Sequence, residues 1–183
     1  MKSSQLILSA ALAAVAALTG CDAGLPPDVA RLGYVHRGAR FALNLPAGWT
    51  AREASGETVL IAQAPAATST AADADARANI EVAVTPLAPD ARLDAVAEAA
   101  RHALARLADF KLAADESRDL PDGRRAVILT FSHTFNGKPL AQRQMLMIAG
   151  GRLFTITATA AAGDFDRLAT QFDDSLRSFR AGW

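Results

Sequence analysis

Asn136-Gly137, set inside a run of alternating apolar and polar residues, constrains this chain more than any other feature. A two-residue type I′ hairpin turn needs positive φ at both central positions, and Asn followed by Gly tolerates that best. Gly150-Gly151 repeats the signal fourteen residues further on, so Arg124 to Phe135, Lys138 to Ala149 and Arg152 to Ala160 are expected as three antiparallel strands. Turn length then sets the register. Phe135 faces Lys138 and Ile128 falls opposite Met145, while Met147 faces Phe154 and Met145 faces Ile156. One sheet face carries Ile128, Met145, Met147, Phe154 and Ile156, which is a core. The other carries Val127, Leu129, Phe131, His133, Gln142, Gln144, Thr155 and Thr157, which is half polar. A slip of one residue would exchange the two faces, so the pattern commits the chain to this pairing.

The remaining chain supplies more strands and two helices. Tyr34 to Leu45 alternates as one strand, with Pro46-Ala47-Gly48 as its closing turn and Trp49 as a core anchor. Thr58 to Ala64, Asn79 to Thr85 and Lys111 to Leu120 read as strands, the last closed by Pro121-Asp122-Gly123. Pro65 to Arg77 is Ala, Thr, Ser and Asp without a period and reads as an exposed, mobile loop. Asp90 to Ala108 is a helix, since Leu93, Val96, Ala97, Ala100, Leu104 and Leu107 form one stripe; Asp90 is the expected N-cap. Asp164 to Phe179 is a second amphipathic helix burying Phe165, Leu168, Phe172, Leu176 and Phe179. The expected class is therefore α+β: an antiparallel sheet of about six to seven strands between two main helices.

The first 20 residues read as a secretion leader, with Lys2 as a positive start and an apolar run from Leu6 to Leu18. That run is too short to span a bilayer. It ends at Leu18-Thr19-Gly20-Cys21, which resembles the lipobox of bacterial lipoproteins. The resemblance implies diacylglycerol on the Cys21 thiol, cleavage before it and acylation, for instance by palmitate, of the new amine. Cys21 is the single cysteine, so no intramolecular disulfide is possible and the domain must rely on its apolar core. Asp22 resembles the inner-membrane retention signal of enteric lipoproteins, which favours the inner over the outer membrane. Residues 21–32, with Pro26 and Pro27, are expected as a tether, and residues 33–180 as one domain. Formal net charge is +0, with 19 basic and 19 acidic residues, so the chain lacks the basic stripe of a nucleic-acid binder.

From Tyr34 to Phe179 the chain resembles the PsbP-like fold, which includes DcrB-type lipoproteins. The resemblance rests on Phe41-Ala42-Leu43-Asn44-Leu45-Pro46-Ala47-Gly48-Trp49, on the order of strands, and on the closing Ser175-Leu176-Arg177-Ser178-Phe179. It implies a sheet sandwiched by helices, an α/β/α arrangement, and accessory or chaperone roles in place of one enzyme chemistry.

Residue chemistry points the same way. There is no His-Glu-x-x-His, cysteine pair, Gly-x-Ser-x-Gly elbow or phosphate-binding glycine loop, so neither a catalytic set, a metal site nor a cofactor is expected. Asp73 and Asp75 lack the glycine and closing glutamate of a calcium loop. His36 has no partner near it in sequence, His102 falls on the polar side of its helix, and Asp173-Asp174 is expected on the exposed side of the last helix, paired with Arg177. His133 would serve as a base only if an acid met it in the fold; burial among apolar groups would end that idea. What remains is Phe131, His133, Gln142, Gln144, Thr155 and Thr157, a face suited to an envelope protein partner. The alternative is a carrier or chaperone for an apolar ligand or hydrophobic segment, which would need an open apolar groove.

Overall fold

A computed structural model describes residues 24–66 and 77–183. Cys21, Asp22 and most of the loop expected between Pro65 and Arg77 lie outside the described residues. The elements run α1 (Pro27–Ala30), β1 (Tyr34–His36), β2 (Phe41–Leu43), β3 (Thr50–Glu53), β4 (Thr58–Gln63), β5 (Asn79–Pro86), α2 (Leu93–Leu104), β6 (Lys111–Asp119), β7 (Arg125–Phe135), β8 (Lys138–Ala149), β9 (Arg152–Ala161), α3 (Ala162–Ser178) and β10 (Arg180–Ala181). Strands β3-β4-β5-β9-β8-β7-β6 form one antiparallel sheet in that order, and β1-β2-β10 form a second, smaller one. The α+β class holds.

The register of the central meander is the one dictated by its turns. Ile128 pairs with Met145, and Met145 with Ile156. Asn136, Gly137, Gly150 and Gly151 all have positive φ, as the two type I′ turns require. Ile128, Met145, Met147, Phe154 and Ile156 are fully buried beneath α3, whose Phe165, Leu168, Phe172 and Leu176 complete the main core. On the opposite face α2 seats Ala97 against Val127, Leu129, Phe131 and Leu146 in a second, smaller core.

Several elements differ from the sequence reading. Tyr34 to Leu45 is not one strand: the chain reverses at 37–40, so β1 and β2 pair with each other. The His36 side chain holds that reversal, its Nδ1 accepting the Ala39 N–H at 2.9 Å, and Phe41, Ala42 and Leu43 are all buried. Helix α2 begins at Leu93, not at Asp90; Arg92 occupies the N-cap in extended conformation and no side chain caps the helix. Strands β3 and β10 are too short and too polar or too close to the end to show a period. A helical turn, α1, occupies part of the expected tether and buries Val29.

Asp173 also departs from expectation. It does pair with Arg177, but it is only 17% exposed and also accepts from Arg118 at 2.7 Å and lies 3.3 Å from Arg143. Glu116 closes the cluster with Arg118 and Arg143. α3 is thereby clamped to β6 and β8, because the strands rising on that side place two arginines under its middle.

Candidate functional site

The half-polar face predicted from register exists, and the structure divides it. β7, β8 and β9 deliver Phe131, His133, Gln142, Gln144, Thr155 and Thr157 to one side of the sheet because antiparallel partners share a face. Phe131 and His133 are then closed over. The chain leaving α2 lays Phe110 on Phe131, with ring centroids 5.6 Å apart. Thr134 N–H donates to the Ala108 carbonyl at 2.8 Å and Thr134 Oγ1 to Asp109 at 2.8 Å, which fixes this segment over the end of β7. Phe131 is 1% and His133 8% exposed. Phe131 drops out of the accessible surface, and His133 keeps only an edge on a recess of about 400 Å³ beside Asp109 and Lys111.

His133 also meets no acid. Its Nδ1 and Nε2 are buried with no hydrogen-bond partner among the described residues, and its neighbour is the Phe131 ring at 6.0 Å. Among the described residues no group orients the His133 imidazole as a general base requires. His36 is tied to Ala39 and stacked on Phe41 at 5.0 Å, and His102 is exposed beside Glu98 at 3.0 Å. Among the described residues no group of three or more His, Cys, Asp or Glu is placed to hold a metal ion.

Gln142, Gln144, Thr155 and Thr157 remain half-buried on the same face. Thr159 continues the face opposite Gln142, and the pairing of β9 with β5 extends it by two residues no local pattern could have revealed: Asn79, facing Thr159, and Glu81, facing Thr157. The amides are ordered within the face. Gln142 Nε2 donates to Thr159 Oγ1 at 2.9 Å, Gln144 Nε2 to Thr157 Oγ1 at 3.3 Å, and Asn79 Nδ2 to Glu81 Oε1 at 3.4 Å. With one N–H of each amide engaged sideways, the Gln142 and Gln144 carbonyls and the Glu81 carboxylate are left as acceptors, and the second amide N–H groups and the Thr157 and Thr159 hydroxyls as donors.

A separate apolar cavity of about 240 Å³ sits where α2 ends against β6, lined by Leu104, Ala105, Phe110, Leu112 and Leu129. Leu112 on its margin is 48% exposed. The cavity is smaller than the ~300–1,000 Å³ of typical small-molecule sites. It fits one apolar side chain better than a lipid.

The sequence matches the DcrB family over residues 42–178, and the chain belongs to that family. No curated protein matches it in sequence. Among solved structures it is similar to LpqN of Mycobacterium tuberculosis, described as involved in cell envelope biogenesis, with TM-score 0.63 and 19% identity over 78% of this chain and 83% of that one. It is similar as well to cyanobacterial PsbP of Synechocystis, with TM-score 0.58 and 18% identity over 81% and 90% of the two chains. A Pseudomonas aeruginosa protein of unknown function aligns with TM-score 0.55 and 20% identity over 79% and 92%. These likenesses establish a PsbP-like fold. Among the described residues no helix is long and apolar enough to cross a membrane.

Proposed function

We propose that this chain is a lipoprotein, anchored through Cys21 and facing the periplasm, whose domain docks on an envelope protein partner through the open part of the sheet face. One observation carries the reading: Gln142, Gln144, Thr157, Thr159 and Glu81 form an ordered, half-buried surface beside α2. Hydrogen bonds within the face hold these side chains, so a partner meets a surface already arranged and loses less entropy on binding. Its free groups are the amide carbonyls and the Glu81 carboxylate together with the remaining amide N–H and threonine O–H donors, which suits a partner presenting backbone or side-chain amides. Kinship with a fold found in an envelope-biogenesis protein supports the envelope as the place of action. Asp22 assigns the anchor to the inner membrane in this reading. The carrier alternative has less behind it, since the apolar cavity beside Leu112, at about 240 Å³, is below the ~300–1,000 Å³ of typical small-molecule sites.

Crosslinking in intact cells from a photoreactive residue replacing Gln144 or Glu81 tests the docking surface. One dominant membrane-protein adduct, absent when the probe replaces the exposed His102, is the expected result. Labelling equal to that from His102 would remove the sheet face as a docking site.

A further inference from the structure

From the structure we infer that the pole of the domain where Gly24, Leu25 and Pro26 lead into α1 rests on the membrane surface, with Arg37 and Arg40 on anionic phospholipid headgroups and Trp183 at the interface. The inference rests on the anchored reading above and adds the orientation of the domain.

Gly24, Leu25, Pro26, Arg37, Arg40 and Trp183 line a recess of about 390 Å³ at this pole. The fold gathers them there from three parts of the chain. β10 pairs with β2, and Gly182 N–H donates to the Arg40 carbonyl at 2.8 Å, which brings Trp183 beside the 37–40 reversal. Arg37 and Arg40 are exposed, and neither has an acidic partner among the described residues. Several other arginines also lack an acidic partner among the described residues; what sets Arg37 and Arg40 apart is that both line one recess. Two unneutralised guanidiniums close together are complementary to phosphate, which they grip bidentately.

Arg40 adds an observation of a different kind. Its φ is +55°, a conformation that disfavours any side chain and that glycine would adopt freely. The position nevertheless carries a long cation aimed at solvent, so folding stability does not explain the residue. Trp183 and Leu25 are half-buried at the same place, and tryptophan is the side chain best suited to a bilayer interface. Cys21 lies three residues before Gly24, so even fully extended chain spans only about 10 Å between them. An acyl group on Cys21 would hold this pole, and no other part of the domain, within reach of headgroups.

The test reconstitutes the lipidated protein into phosphatidylcholine vesicles, with and without phosphatidylglycerol, using acyl chains brominated near the headgroup. The difference in tryptophan quenching between the parent and W183F reports Trp183 alone, because Trp49, half-buried edge-on against Phe172, is common to both proteins. Strong Trp183 quenching that rises with phosphatidylglycerol and falls in R37Q/R40G is expected. R40G relieves the positive φ, so an unchanged melting temperature would show that the variant still folds. Quenching no greater in the parent than in W183F, or unaffected by the arginine changes, would overturn the orientation.

Mass spectrometry of the N-terminal peptide reads the anchor independently. If Cys21 carries no lipid, the anchored reading fails, and flotation of the chain with the same vesicles still decides the pole. Binding should then weaken about fivefold per arginine removed; no flotation at low salt would overturn it.

Discussion

Asp173 shows how a single position gains its meaning from the fold. Burial raises its pKa, but the hydrogen bond from Arg118, the charge of Arg143 and the contact with Arg177 outweigh burial and hold the carboxyl below its ordinary value. A folded-state value below the unfolded one stabilises the native state above the ordinary carboxylate range near pH 4, and the stabilisation is lost as pH falls through the folded value. Arg118, Asp173 and Arg143 are 21%, 17% and 15% exposed, so screening by solvent weakens the cluster only in part. Asp173→Asn should therefore cost about 1–3 kcal/mol at neutral pH, by leaving two half-buried guanidiniums short of a counter-charge. Urea midpoints of the two proteins at pH 7 and in acid check this. The gap should close in acid, and a pH-independent gap would mean that packing, not charge, is lost. Nothing in the local sequence announced the cluster, because Arg118 and Arg143 reach Asp173 from strands 55 and 30 residues away in the chain.

What the sequence made legible was whatever a short-range rule controls. The two type I′ turns determined the pairing of β7, β8 and β9 residue by residue, and with it both sheet faces. The stripe of α3 was readable for the same reason: Phe165, Leu168, Phe172 and Leu176 recur at helical spacing and are buried. Reading failed where a tertiary contact sets the boundary. The reversal after His36 depends on its imidazole, α2 starts where Leu93 first meets the sheet, and Phe131 and His133 are covered by a segment that periodicity does not describe. Asn79 and Glu81 joined the site only through the pairing of β9 with β5. The turns can be tested directly. Gly137 has φ +74° and open space around its Cα, so Gly137→Ala meets no clash and pays only for the backbone. A loss of about 1 kcal/mol is expected in thermal melts, with the fold retained; a neutral result would show that the turn relaxes to another type.

The two helical layers are not equal partners. α3 buries Phe165, Leu168, Phe172, Ser175 and Leu176, is clamped by Arg118 and Arg143, and closes a core that extends to both sheets. α2 buries only Ala97 fully and has no side-chain cap, and its bidentate Arg101–Asp115 pair, at 2.6 and 3.0 Å, lies about one-third exposed. An exposed pair of that kind contributes little, of order 0.5 kcal/mol. The apolar area under α2 is thus most of what holds it, and that area is small beside the one under α3. Local opening with a free energy below that of global unfolding follows for α2. Native-state hydrogen exchange in low urea should show the amides of α2 exchanging together, well before those of α3 and of the central strands β8 and β9. Such an opening would uncover Val127, Leu129 and Leu146 next to Gln144, enlarging the candidate docking face with an apolar floor. If α2 instead exchanges only with global unfolding, the face available to a partner is fixed at its polar half, and recognition must rest on the amides, hydroxyls and carboxylate of Gln142, Gln144, Thr157, Thr159 and Glu81.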